Sequence, residues 1–211
     1  MSDGNVSSLD PVAHWAEQQH WIRPEIEETA QGLIQSAFDL LGTAGEPARA
    51  FLQGDWLHEP LHSAATDIPI GAWTATTVFD SLAVLTGRKE FDTAADATLW
   101  LGMAGAIFSA AAGMADWSQI DEPRPRRVGA VHALLNVGAT VLFAASGLAR
   151  RRQQNRISGR ALAAAGFAFL AVSAHLGGNL VYEHGVGVRA QTRTQDPDAG
   201  SEEMKGGDFS I

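Results

Sequence analysis

The residues best suited to chemistry in this chain are histidines that lie in or beside apolar segments, namely His62, His132, His175 and His184. They are far apart in sequence except for the last two, so any shared site must be assembled by folding. Imidazole nitrogens bind haem iron and other transition metals. The chain contains no cysteine, which excludes disulfides, iron–sulfur ligation and thiol catalysis. Imidazole and carboxylate are therefore the ligands from which a metal site could be built.

Two of these histidines are each followed by an asparagine at helical spacing. His132 and Asn136 are four residues apart, as are His175 and Asn179, and residues four apart share one face of a helix. An asparagine amide can orient an imidazole ring or satisfy a backbone group, which matters because an unsatisfied polar group is costly in hydrocarbon. We therefore include both asparagines in the candidate site.

Two aspartates complete the set of candidate residues. Asp116 ends an apolar segment and is a candidate metal ligand, while Asp80 lies within an apolar segment away from the histidines. An ionisable residue inside a membrane marks a functional site by default, here a proton pathway. The alternative is that Asp80 pairs with Arg88 or with a polar group on a neighbouring helix.

Several function classes are excluded or left without support. The chain has no nucleophile elbow, phosphate-binding loop, dinucleotide fingerprint or zinc-protease motif, so we do not predict an enzyme with its own substrate site. The formal net charge of −9 lacks the basic footprint of a nucleic-acid-binding protein.

Four apolar segments supply the elements that would position these residues. They cover residues 68–87, 97–115, 128–149 and 161–182, and Asp80 is the one charged residue among them. A helix needs about 20 apolar residues to cross a bilayer. A soluble bundle is the alternative, but its helices would need a charged stripe that these segments lack. We predict an all-α, antiparallel bundle of four transmembrane helices in the plasma membrane.

The regions flanking these segments differ in character. Residues 1–20 are predicted to be an irregular leader without signal-peptide features, and residues 24–41 form an amphipathic helix, with a shorter helix at 46–53. The amphipathic helix is expected to lie on the membrane or on the bundle, and its acidic polar face favours packing against protein. The polar tail is predicted to be disordered. The predicted domains are therefore 1–53, 54–188 and 189–211.

The antiparallel order places the candidate ligands at one membrane face, called side A, which holds His62. His132 would lie roughly 7 Å, and His175 roughly 10 Å, inside that face. Seven basic residues lie on the opposite side B and four on side A, so the positive-inside rule predicts that side B is cytoplasmic. The side B residues are Arg88, Lys89, Arg150, Arg151, Arg152, Arg156 and Arg160, and those of side A are Arg124, Arg126, Arg127 and Arg189.

An interfacial aromatic belt is predicted at Trp56, Trp73, Trp100 and Trp117.

Four stretches of the chain resemble the DUF2231 family of predicted bacterial membrane proteins. They are GDWLHEPLHSAATDIPIGAW (54–73), GMADW (113–117), VHALLN (131–136) and HLGGNLVYEHGVGV (175–188). Family members often carry G-H-P-L-H-P before T-D-x-P-I-G. Here His62 retains the second histidine, but Glu59 replaces the first, so a role that needs both would fall to His58. Some members are fused to a Rieske iron–sulfur domain, which implies an association with electron transfer and a Rieske-type redox partner for this chain.

These observations favour a membrane-embedded electron-transfer subunit that binds haem b or another metal. His132 and His175 would be the axial ligands, with His62 and Asp116 as alternative or supporting ligands and Asn136 and Asn179 orienting the rings. One alternative is a non-catalytic membrane scaffold with structural histidines, and another is a small proton or ion pathway through Asp80. A homo-oligomer is compatible with each of the three.

Overall fold

A computed structural model of the protein describes residues 10–151 and 156–186, and this part of the chain contains helices and turns but no strand. The leader before residue 10, Arg152, Arg189 and the predicted disordered tail 189–211 lie outside the described residues. Seven α-helices follow one another: α1 (Pro11–Glu17), α2 (Pro24–Asp39), α3 (Gly45–Gln53), α4 (Leu61–Thr86), α5 (Lys89–Trp117), α6 (Pro123–Arg151) and α7 (Arg156–Tyr182). The predicted all-α class is confirmed.

Helices α4 to α7 form the predicted antiparallel bundle. α4 packs along α5 to form one hairpin and α6 packs along α7 to form a second, and the hairpins meet through α5 with α6 and α4 with α7. Each helix extends beyond its predicted apolar segment into polar residues, and α4 begins seven residues early, at Leu61. His62 therefore lies in the first turn of a helix rather than in a preceding loop.

The outer surface of the bundle is apolar. Leu101, Ile107, Val137 and Ile157 are more than half exposed, as expected where lipid rather than water surrounds the protein. All four helices are long and apolar enough to cross a membrane. At about 1.5 Å per residue, their 26 to 29 residues exceed the hydrocarbon thickness of about 30 Å.

The centre of the bundle is closed by a pair of aromatic rings. Trp73 and Phe143 stack with ring centroids 4.1 Å apart, and Trp73 is only 2% exposed. The prediction that Trp73 belongs to an interfacial belt is therefore wrong, because its ring fills the gap beside Gly102. Trp56 and Trp100 remain exposed, at 57% and 39%.

The N-terminal extension is more ordered than predicted. Residues 11–17, expected to be irregular, form α1 because Asp10 caps the helix by accepting hydrogen bonds from the N–H groups of Val12 and Ala13. Ala13 and Ala16 are fully buried against a cluster from α6 and α7 that includes Val131 and Leu176. Helix α1 thus packs on the second hairpin, whereas α3 packs on the first.

Helix α2 packs against protein as predicted, but it does so through its polar face. Glu27 is 1% exposed, with a carboxylate oxygen 3.2 Å from the Nε of Arg126. The Gln31 amide donates hydrogen bonds to the carbonyl oxygens of Trp117 and Ile120. Two apolar residues of the helix, Ile26 and Leu33, are more than half exposed, whereas Ile34 and Phe38 are half-buried. A short 3-10 helix at Gly42–Ala44 leads into α3.

Candidate metal centre

His62 is held in place by the neighbouring helix of its own hairpin. Its Nδ1 lies 2.9 Å from the backbone oxygen of Ser109 on α5 and 3.3 Å from the hydroxyl of the same residue. Gly113, one turn further along α5, makes room for the ring, because a Cβ built there would lie 2.7 Å from Nδ1. Serine and glycine at helical spacing thus form the seat of this imidazole.

His132 has the same environment in the second hairpin. Its Nδ1 lies 2.8 Å from the backbone oxygen of Ser173 on α7 and 3.1 Å from the Ser173 hydroxyl. A Cβ on Gly177 would lie 3.0 Å from Cε1 of the ring. In addition, the Asn136 amide nitrogen lies 2.9 Å from Nε2.

The two imidazoles meet between the hairpins. The ring centroids of His62 and His132 are 6.0 Å apart, and the rings stand edge to face at 86°. The structure therefore brings together two of the three predicted histidine ligands, one from α4 and one from α6.

The hydrogen bonds also select the tautomer of each ring. A carbonyl oxygen only accepts hydrogen bonds, so in a neutral imidazole the proton must sit on Nδ1, which donates it to Ser109 or Ser173. The lone pair is then on Nε2, and an Nδ1–H bonded to a backbone carbonyl is the usual support of a metal-bound histidine. The Nε2 lone pair of His62 has no hydrogen-bond partner among the described residues, whereas that of His132 accepts from Asn136.

His175 does not join this pair. Its side chain is 54% exposed, and its Nε2 lies 2.6 Å from the Asp10 carboxylate of the N-terminal extension. Asn179 does not bond to it, and both polar atoms of the buried Asn179 amide lack a hydrogen-bond partner within the described part of the chain. The expected pairing of His132 with His175 is replaced in the structure by the pairing of His132 with His62.

Carboxylates do not complete a conventional metal site. Asp116 lies near the end of α5, and no hydrogen bond or ion pair among the described residues joins it to either imidazole. Residues 10–151 and 156–186 contain no group of three or more histidine, aspartate or glutamate side chains placed to hold a metal ion. The centre therefore consists of two imidazoles.

Comparison with known proteins adds the family. Residues 58–190 match the family described as "Predicted membrane protein (DUF2231)", which is well over half of the chain. The chain belongs to the DUF2231 family. No curated protein and no solved structure matches it. Together with the four apolar helices, the family establishes this DUF2231 protein as an integral membrane protein.

The other polar cluster of this DUF2231 protein lies at the opposite end of the bundle. The Arg150 guanidinium donates to both carboxylate oxygens of Asp80, at 2.8 and 2.5 Å, and it also reaches Asp96. Asp92 accepts from Arg160 at 2.7 Å. Arg88, the partner suggested for Asp80 from sequence, instead lies beside Glu90 at the surface.

Sequence reasoning missed the two serines that hold the rings, although a signal was present. Ser109 precedes Gly113 by four residues, and Ser173 precedes Gly177 by four. Small residues four apart are also typical of a packing ridge between membrane helices, so the first pair alone does not indicate a contact with a histidine. The repetition of this spacing in the second DUF2231 hairpin was the sign that both pairs serve a histidine.

Proposed function

We propose that this protein is a membrane-embedded electron-transfer subunit in which His62 and His132 ligate one metal centre. One observation carries the proposal: two imidazoles are fixed as Nε2 donors with their ring centroids 6.0 Å apart. A metal held between two imidazole nitrogens separates the ring centres by about 5–6.5 Å, given metal–nitrogen bonds of about 2.0–2.1 Å. His62 thereby takes the role that sequence analysis gave to His175.

The number of ligands favours haem b over a bare ion. Zinc sites in proteins use three or four protein ligands, and the described residues offer two imidazoles with no supporting carboxylate. Haem iron needs only axial ligands from the protein, because its macrocycle supplies the remaining donors, and it would supply one-electron chemistry when bound. On the number of protein ligands, haem iron is therefore the favoured centre.

Asn136 determines whether Nε2 of His132 is available to bind a metal. Its amide nitrogen occupies the Nε2 lone pair of His132, so this side chain must turn away when that nitrogen binds a metal. We expect Asn136→Ala to retain the metal, since the variant frees the donor without removing a ligand.

The test is purification of the full chain in detergent after expression with ample haem, followed by metal analysis and a reduced-minus-oxidised absorption spectrum. We expect a Soret and an α-band change that is lost in His62→Ala and in His132→Ala. His175→Ala is the matched control, since this residue is also a histidine at side A but lies half-exposed beside Asp10, and it should keep the spectrum.

The same experiment separates the scaffold alternative. Each imidazole ties two helices of a hairpin together through a serine carbonyl, a contact that would stabilise the bundle without any cofactor. Colourless wild-type protein that contains no metal, combined with lower thermal stability of His62→Ala and His132→Ala, would favour the scaffold and contradict the metal proposal.

A further inference from the structure

The first and second hairpins correspond residue by residue along their first helices. The same spacing of 70 residues separates His62 from His132, Trp73 from Phe143 and Asp80 from Arg150. Each of these residues contacts its own counterpart: the imidazoles meet edge to face, the aromatic rings stack, and the carboxylate binds the guanidinium. In an interface with two-fold symmetry, residues close to the axis contact their own equivalents in the other copy.

The second helices of the hairpins correspond at a spacing of 64 residues. Ser109 and Ser173 hold the two imidazoles through the same pair of contacts. The glycines that face these rings, Gly113 and Gly177, are also equivalent. Gly102 faces the Trp73 ring as Gly166 faces the Phe143 ring. The correspondence therefore extends over both helices of each hairpin.

The ion pairs that join the two hairpins at side B obey the same two spacings. Asp92 and Asp96 on α5 are equivalent to Arg156 and Arg160 on α7. Asp92 binds its own counterpart Arg156 at 2.9 Å. The remaining pairs occur as equivalent couples. Arg160 with Asp80, at 3.6 Å, matches Arg150 with Asp96, at 3.3 Å. Arg160 with Asp92, at 2.7 Å, matches Arg156 with Asp96, at 2.9 Å.

We infer that the four-helix domain consists of two copies of one two-helix unit, related by a two-fold axis that runs along the bundle. The axis passes between His62 and His132, through the aromatic stack, and between Asp80 and Arg150. Both hairpins begin and end at side A, so this is a parallel repeat with its axis along the membrane normal. The inference holds whether or not a metal is bound at the histidine pair.

The two copies carry opposite charges at their ion-pairing positions. The three ion-pairing positions are aspartate in the first hairpin, at 80, 92 and 96, and arginine in the second, at 150, 156 and 160. Two acidic hairpins or two basic hairpins would place like charges against each other in a buried interface. Like-charge juxtaposition is a standard means of rejecting the wrong partner. Each hairpin thus presents a surface that fits the other hairpin of the chain and rejects a second copy of itself.

The first test exchanges the charges between equivalent positions in the full chain. The exchange combines Asp→Arg at 80, 92 and 96 with Arg→Asp at 150, 156 and 160. It also includes Ala95→Gly and Gly159→Ala, because these positions are equivalent and a Cβ on Gly159 would lie 2.7 Å from Cγ of Arg150. If the interface is two-fold symmetric, the exchanged chain should form the same ion pairs, with each aspartate and arginine at the position of its equivalent.

Three variants are compared by their thermal unfolding midpoint in detergent and by gel filtration. Asp→Arg at the three acidic positions alone should lose the monodisperse folded species, because six guanidinium groups would then face one another. The complete exchange should recover most of the lost midpoint, and the exchange without the Ala95 and Gly159 substitutions should recover less. Full recovery without those two substitutions would show that positions 95 and 159 are not equivalent, contrary to the inference.

The second test uses the native network and remains decisive if the exchanged chains do not fold. The chain has no cysteine, so spin labels can be placed at single introduced cysteines. Val78 and Leu148 are exposed equivalents, as are Phe108 and Val172. The distance measured in Val78→Cys/Val172→Cys should equal that in Leu148→Cys/Phe108→Cys, because the two-fold axis maps one pair onto the other. Clearly different distances would overturn the inference.

Discussion

At the scale of single residues, the Asp80–Arg150 ion pair is buried on both sides. The Arg150 side chain is 2% exposed and that of Asp80 is 9% exposed. The two charges attract strongly because little water screens them, and neither tolerates loss of the other. This geometry places Asp80 in an ion-pair network, which favours a structural role, and a role of this residue in proton transfer stays a prediction.

Replacing Asp80 by asparagine should be strongly destabilising. The Arg150 guanidinium would keep its contact to Asp96 and its hydrogen bond to the Ser146 hydroxyl but lose its buried carboxylate partner, and removal of one partner from a buried ion pair costs about 3–5 kcal/mol. The measurement is the change in unfolding free energy or midpoint in detergent. Arg88→Ala is the control: its pair with Glu90 is 62% and 71% exposed, and pairs of that kind contribute about 0–1 kcal/mol. Equal effects of the two variants would contradict the buried role of Asp80.

Sequence identified the polar residues and the local pair of His132 with Asn136, but not the partners that lie far away along the chain. Hydrophobicity alone marks Asp80, His132 and Asn136 as unusual, because each lies in an apolar segment. The partner of Asp80 is 70 residues away and was counted only as a basic residue of side B. Which charges meet depends on how four helices are rotated about their own axes, and no local pattern encodes that rotation.

At the scale of helices, the same limit explains the position of His175. The predicted depths of His132 and His175 follow from the helical rise, and both residues do lie at side A. However, Ser173 and His175 are two residues apart, which turns their side chains by about 200° on a helix of 3.6 residues per turn. Since Ser173 faces His132, His175 must face outward, where it meets Asp10. The helical rise per residue gives the depth of a side chain in the membrane from sequence, whereas the direction in which the side chain points depends on how the helices pack.

The glycines that face the aromatic stack should be intolerant of a methyl group. A Cβ on Gly166 would lie 3.0 Å from the Phe143 ring, and one on Gly102 would lie closer still to the Trp73 ring. We expect Gly102→Ala and Gly166→Ala to destabilise the protein by about 1–3 kcal/mol through overpacking. Gly71→Ala is the control, because nothing lies within 4 Å of a Cβ there, and it should be neutral or stabilising by about 0.5–1 kcal/mol.

The first helix of the extension should respond to pH through Asp10. Burial raises the pKa of this carboxyl, but hydrogen bonds from the backbone N–H groups of Val12 and Ala13 and from His175 outweigh it and hold the pKa below its ordinary value. A lowered folded-state pKa means that the stabilisation is present above the unfolded value of about 3.9 and is lost as pH falls through the folded value.

Hydrogen exchange of the α1 amides is the measurement for this effect. Protection of α1 should fall under strongly acidic conditions, and Asp10→Ala should reproduce that loss at neutral pH by removing an N-cap worth about 0.5–2 kcal/mol. Asp10→Asn is the control, since asparagine also caps helices well, and it should keep most of the protection. Unchanged α1 protection in Asp10→Ala would show that the cap does not hold this helix.

At the scale of the whole molecule, the four spans were predictable because each is a long uninterrupted apolar run, a strong local signal. The repeat within the domain was not, since few residues are identical between the hairpins and the charged positions are reversed in sign. Equivalence becomes visible only when contacts are compared, as for the stack of Trp73 on Phe143.

The orientation of the bundle in the membrane stays a prediction from its basic residues. Counted from the sequence, seven fall in the connections of side B and four in those of side A, so the positive-inside rule predicts a cytoplasmic side B. In intact cells, a membrane-impermeant thiol reagent should label Asp121→Cys in the side A connection. Arg88→Cys in the side B connection should react only after permeabilisation. The reverse pattern would show that the histidine pair lies towards the cytoplasm.

The ion pairs between α2 and α6 connect the N-terminal extension to the helix that carries His132. Glu27 lies beside the guanidinium groups of Arg126 and Arg127, and these arginines stand at the start of the helix that carries His132. Only about 1.7 helical turns separate Arg126 from that imidazole. A displacement of α2 would therefore be transmitted through the first turns of α6 to the His132 ring.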